Sequence, residues 1–235
     1  MRRVRFCIYC VFPVLIRYRP LFYVDTPDIP CYTIKYQAIF YRKAEIMART
    51  VRITPDMLIT AGTEIVLENG VSALNIRGIA AKLDCSIQPI FRNFGSMDAL
   101  RSEIFRVLDQ KYGEFIARYV DKSDYLFTIS LAHIRLAEEQ RNLFGAIFLT
   151  GEYGTRTVEQ IVSADWNRET IECTAQQFGI TVKAAEAVYR DVRFYTFGIA
   201  REVYAGAVIL QPGETEQLLR GAIESFCRTA AFRKE

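Results

Sequence analysis

The chain has 235 residues, 51% apolar and 24% charged. This excludes general disorder and allows one large domain or two small ones. The net charge of +3 is unevenly placed: residues 1–46 carry eight Lys/Arg against three Asp/Glu, so 47–235 sum to −2. Affinity for a polyanion therefore has to come from a local basic patch.

Six cysteines are present. Cys85, Cys173 and Cys227 are scattered in or beside helical patterns, as expected of reduced thiols in a cytoplasmic protein. Cys7 and Cys10 form a lone C-x-x-C with no second pair and no histidine nearby, so no metal site is expected. A single histidine, His133, leaves little for acid–base or triad chemistry. No G-x-S-x-G, H-E-x-x-H, G-x-G-x-x-G or phosphate loop occurs, so neither an enzyme nor a cofactor is expected.

Residues 1–46 are unlike the rest of the chain, with many aromatics, Arg and Pro and no sustained helical period. The apolar run Phe6–Ile16 follows Arg2, Arg3 and Arg5 like a signal-peptide core. Pro13 interrupts it, and no small-residue cleavage site appears. Eleven residues are also too few to span a bilayer, which takes roughly 20. A basic-aromatic interfacial anchor lacks the expected amphipathic period. A third reading is favoured, in which the native start is Met47, opening Met-Ala-Arg-Thr. The preceding Arg42-Lys43-Ala44-Glu45 would then be a translated ribosome-binding site, and residues 1–46 a non-native or disordered extension.

From Thr54 the punctuation sharpens. Thr54-Pro55-Asp56 is a cap, a first-turn proline and a first-turn acid. Leu58, Ala61, Ile65 and Val66 follow at helical spacing, and Asn69-Gly70 stops the helix. Asn75 caps a second, short helix whose Ile76, Ile79, Ala80 and Leu83 form one stripe. Asp84-Cys85 turns the chain. Ser86 is then expected to cap a third helix through the N–H of Gln88, since Pro89 at the third position has none to give. In that helix Ile87, Ile90, Phe91 and Phe94 repeat the spacing. Gly95-Ser96 ends it, and Ser96-Met97-Asp98 opens a fourth.

Two short helices joined by a tight turn, the second with a polar outer face, form a helix-turn-helix pattern. Gln88 and Arg92 share that face with Asn93 beside them, and suit adenine and guanine or phosphate. Arg49, Arg52 and Arg77 are placed for phosphates or the minor groove. The alternative is an ordinary three-helix unit with a solvated face.

The stretch from Asn75 to Leu83 resembles the second helix of TetR/AcrR-family transcriptional regulators. Ser86-Ile87-Gln88-Pro89-Ile90-Phe91-Arg92-Asn93-Phe94 resembles their recognition helix, and Ser96–Leu100 the start of their fourth. The resemblance covers about fifty residues. Four positions depart: Asp84 stands where the family usually has Gly, Asn75 replaces a capping Thr, and Phe91 and Met97 replace a Tyr and a Lys that commonly meet phosphates. The resemblance implies an all-α fold, with a helix-turn-helix DNA-binding head at 51–111 and a ligand-sensing, dimerising body at 112–235. The expected DNA-binding residues are Arg49, Arg52, Thr54, Asn75, Arg77, Ser86, Ile87, Gln88, Phe91, Arg92 and Asn93.

Residues 101–232 read as helical throughout. The fourth helix is expected to run to about Tyr119, with a break at 121–124. Tyr125 to Phe148 then continues with a bend near Asn142. After a loop at 151–155, a helix is expected through Trp166 to Phe178. Gly179 ends it and Thr181 caps the next, expected to reach Leu210. Val188, Val192, Tyr195, Ile199 and Val203 stripe that helix; Leu219, Ala222, Ile223, Phe226 and Ala230 stripe the last, beyond a turn at Pro212-Gly213. Such a hairpin can pair with a second copy as a four-helix bundle, and in the family the last two helices form the homodimer interface. Candidate pocket linings are His133, Phe144, Phe148, Tyr153, Trp166 and Tyr195, although each also suits plain core.

The function expected is a sequence-specific DNA-binding regulator, usually a repressor in this family, released from a double-stranded operator by a small-molecule effector. The alternative is a sensor or adaptor of the same fold whose DNA contacts have weakened.

Overall fold

The structure, a computed structural model, describes residues 52–232. The expectations for 1–46 and for Arg49 lie outside them. All regular structure among the described residues is helical, as the periodicity predicts.

Helix α1 (Pro55–Asn69) starts where Thr54 Oγ1 accepts from the Met57 N–H at 3.3 Å. It stops at Gly70, whose φ of 81° with ψ of 168° suits glycine alone. A 3₁₀ turn (Val71–Ala73) leads to Asn75, which accepts from the Gly78 N–H and donates to the Ala73 carbonyl, both at 2.9 Å. That pair of bonds fixes the start of α2 (Ile76–Lys82). The next turn carries Asp84 at φ +48°, a left-handed position that Asp tolerates better than most residues. The Cys85 N–H closes it onto the Ala80 carbonyl at 3.0 Å.

Helix α3 (Gln88–Phe94) corrects one expectation. Ser86 does not cap it: Ile87 precedes the helix in right-handed geometry with no side-chain cap. A cap at Ser86 would have put Pro89 third, where the donor usually taken by a capping oxygen is missing. The first turn is closed instead by a tight bond from the Ile90 N–H to the Ile87 carbonyl at 3.2 Å. Gly95 at φ 75° ends α3, and Ser96 Oγ accepts from the Ala99 N–H at 3.1 Å to start α4 (Met97–Ala117).

These four helices enclose Leu58, Ile65, Val66, Ile79, Ile90, Leu100 and Ile104, all buried. Helix α1 lies so near α4 that a Cβ at Gly62 would fall 2.3 Å from Ile104 Cδ1.

Beyond a 3₁₀ turn at Lys122–Asp124, the expected single helix is two, α5 (Tyr125–Glu139) and α6 (Arg141–Phe148). The break falls at Gln140 (φ −130°, ψ 53°) rather than Asn142. Asn142 is used otherwise, donating to the Leu67 carbonyl of α1 at 2.8 Å. The helix expected through Trp166 is also divided, into α7 (Val158–Val162), a 3₁₀ turn (Asp165–Asn167) and α8 (Arg168–Phe178). Asn167 Nδ2 bonds back to the Ile161 carbonyl at 2.6 Å and holds that turn. Gly179 (φ 61°) and Thr181 separate α8 from α9 (Val182–Ala205), which ends at Gly206, short of Leu210. Helix α10 is Glu214–Phe232.

Helix α9 packs along α5 and against α8 and α10. Its fully interior face is Ala185, Val188, Tyr189, Val192, Thr196 and Ala200. The expected stripe is rotated from this: Tyr195, Ile199 and Val203 are only half-buried. In α10, Leu219, Ile223 and Cys227 are buried, while Phe226 and Ala230 are half-buried. No helix of the described residues is long and apolar enough to cross a membrane.

Candidate nucleic-acid interface and interior cluster

Successive residues of an α-helix point about 100° apart, so α3 can be read around its circumference. Ile90 (buried) and Phe94 (half-buried) face the core. Next around the helix come Ile87 and Phe91, each 45% exposed and absent from the core cluster. Gln88 and Arg92, both exposed, follow. Asn93 is exposed but turned along its own helix, its amide donating to the Pro89 carbonyl at 2.8 Å.

The other expected contact residues divide by what their side chains already do. Those of Thr54 and Asn75 are engaged in caps. Ser86 is exposed with no capping role. Arg52 and Arg77 are exposed, and among the described residues neither they nor Arg92 form an ion pair. Lys82 is different, tied to Glu64 and Glu68 at 3.1 Å each, and its ammonium is held charged by both carboxylates.

Residues 52–100 contain four basic and five acidic side chains, so this head is not basic as a whole. The positive potential is local: no acid occurs from Cys85 to Met97, where Arg92 is the only charge.

Four elements build an interior cluster around His133 of α5. Its Nδ1 lies 2.6 Å from the Ile129 carbonyl and its Nε2 2.9 Å from the Tyr112 hydroxyl of α4. A carbonyl can only accept, so Nδ1 carries the proton and Nε2 accepts from Tyr112. Burial holds the imidazole neutral, pushing its pKa from 6.5 to about 4, and Arg193 nearby acts in the same direction. Burial likewise raises the Tyr112 and Tyr189 hydroxyls, so both stay protonated. Phe148 and Phe197 flank the imidazole at 5.7 and 5.1 Å, and Phe144 lies 5.2 Å from Phe148. Arg193 covers Phe197 at 4.7 Å and reaches the Tyr189 hydroxyl at 3.4 Å.

Of the six expected pocket linings, His133, Phe144 and Phe148 thus come together, and three do not. Trp166 is 69% exposed on its 3₁₀ turn, against Arg156. Tyr195 points toward α10, edge-on to Phe226 at 6.4 Å. Tyr153 lies on the loop after α6, where its hydroxyl donates to Asp109 of α4 at 2.6 Å. Sequence reasoning misses Tyr112, Arg193 and Phe197, whose approach to His133 is set by how α4 and α9 cross α5.

The 151–155 loop therefore clasps α4 at two points two turns apart. Besides the Tyr153–Asp109 bond, Arg101 Nε donates to Glu152 at 2.6 Å. Arg156 lies over Tyr153 at 6.0 Å and over Trp166 at 5.5 Å. Helix α4 starts close behind the end of α3, so the clasp holds the rod to which α3 is attached.

A groove of about 930 Å³ opens between the first half of α9 and the end of α10, lined by Ile180, Ala184, Ala187, Val188, Phe226 and Ala230, with Lys183 and Asp191 at its polar side. The chain matches no protein-family model and no curated protein sequence.

Proposed function

We propose that the protein is a sequence-specific DNA-binding transcriptional regulator of TetR type, acting as a repressor released by a small-molecule effector. The observation that carries this reading is the outer face of α3. Gln88 and Arg92 are exposed and one turn apart, on a short helix packed against α1 and α4. These side chains match adenine and guanine edges in a major groove. Arg52 and Arg77 supply exposed cations for phosphates. Dimerisation through α9 and α10 is part of the reading, supported by their half-buried apolar stripe and by exposed Phe194 and Leu218. In a two-fold dimer the two α3 helices would meet successive major grooves about 34 Å apart.

Release follows as a population shift. An effector bound in the body, beside the His133 cluster, would favour a tilt of α4 that spoils the spacing of the α3 helices. Near-complete switching takes a difference of about 5.5 kcal/mol between the ligand's affinities for the two states.

The test is a fluorescence anisotropy titration of the full chain against DNA flanking its own gene, at two salt concentrations, with random DNA as competitor. Saturable binding that tightens at low salt and survives the competitor is expected. Failure there and in selection from random duplexes would replace this reading with that of a sensor or adaptor that has lost its DNA contacts. The acidic balance of residues 52–100 favours that second reading.

A further inference from the structure

Among the described residues between 52 and 100, only two large apolar side chains are left exposed, Ile87 and Phe91. Both sit on α3 or at its threshold, four residues apart, and neither packs on the core cluster. The face therefore repeats one pattern on two successive turns: an apolar side chain followed by a polar one, Ile87 with Gln88, then Phe91 with Arg92. Neither Ile nor Phe can bond a phosphate or a base edge, so exposure gains them nothing in water. In a major groove the apolar feature that an exposed Ile or Phe can cover is the C5 methyl of thymine.

We propose that Ile87 and Phe91 read thymine methyl groups, and that each operator half-site carries one thymine beside the base pair read by Gln88 and another beside that read by Arg92. This rests on α3 being the DNA-reading helix and goes beyond it, by naming the base composition the helix requires and the residues that require it. Arg92, with no ion-pair partner among the described residues and no acid from Cys85 to Met97, gives this face the charge that suits a duplex.

The test starts from duplexes selected from a random pool by the full chain. Each thymine of the selected half-site is then replaced singly by deoxyuridine, which removes only the methyl, and binding is titrated by anisotropy. At two positions the affinity should fall about four-fold, the factor carried by one buried methyl at ~0.8 kcal/mol. Phe91→Ala should abolish the deoxyuridine effect at one of these positions and Ile87→Ala at the other. Helix content and thermal stability should be unchanged, since both residues are exposed. Selected sites without thymine at those steps, or deoxyuridine duplexes bound as tightly as the parents, would overturn the proposal. So would persistence of the effect in both variants, or an effect of the variants on self-association alone, which would make the face a protein contact. If selection yields no preferred sequence, the reading of α3 fails first, and the two failures are told apart at that step.

Discussion

Gly62→Ala tests the close approach of α1 to α4. The added Cβ would lie 2.3 Å from Ile104 Cδ1 and 3.0 Å from Cγ1, and Ile104 is fully buried. Overpacking of this kind costs about 1–3 kcal/mol, while replacing Gly by Ala inside a helix returns about 1 kcal/mol. The expected net loss is roughly 0–2 kcal/mol, read as a fall in Tm of up to about 8 °C for a domain of this size. Ile104→Val removes the Cδ1 methyl and by itself costs about 1 kcal/mol. In the double variant the worst clash is gone and only the approach to Cγ1 remains. The combined loss should therefore be smaller than the sum of the single losses by about 1 kcal/mol or more. Urea and thermal unfolding of the four proteins measure the cycle. Additive losses, or a Gly62→Ala variant more stable than its parent, would show that α1 and α4 do not approach as described.

Three further outcomes are expected. Arg92→Ala should weaken binding to the selected operator and reduce the salt slope by about one if the guanidinium meets a phosphate, with the oligomeric state unchanged by sedimentation. His133 binds its proton more weakly in the fold, near pH 4, than in the unfolded chain at 6.5. Its contribution to stability is therefore complete above pH 6.5 and is lost as pH falls from there toward 4, by about 3 kcal/mol in all. Urea midpoints followed over that window should fall more steeply for the parent than for His133→Gln. Tyr153→Phe removes the bond to Asp109 and should cost about 0.5–1.5 kcal/mol, with faster proteolysis in the loop at 151–155.

Local chemistry makes the helix starts legible. Thr54, Asn75, Ser96 and Thr181 are caps that each act within three residues, and all four bonds are in place. Ser86 misleads because a capping side chain signals the same thing whether or not its donor exists, and here the third position is proline. The face of α9 is misread for a different reason. A search for large apolar residues finds Tyr195, Ile199 and Val203, while the deepest positions include Ala185, Thr196 and Ala200, small enough to let neighbouring helices approach. Trp166 is placed inside on hydrophobicity alone, although one aromatic in a short irregular stretch has no period to say which way it faces. The α3 stripe is only half legible: Ile90 and Phe94 face the core, but Ile87 and Phe91, expected in the same stripe, are exposed, because so short a helix turns only one narrow edge to α1 and α4. The surroundings of His133 are not legible, because Tyr112 and Arg193 come from helices whose crossing angles the sequence does not state.

The contact between the 151–155 loop and α4 has an optical consequence. The chain has a single tryptophan, and Trp166 stands at the outer end of a relay through Arg156 and Tyr153 to Asp109. Any shift of α4 against that loop moves the guanidinium that lies over the indole. The emission of this one fluorophore, unmixed with any other indole, then changes in wavelength or yield, so the protein carries a built-in gauge of the helix that bears α3.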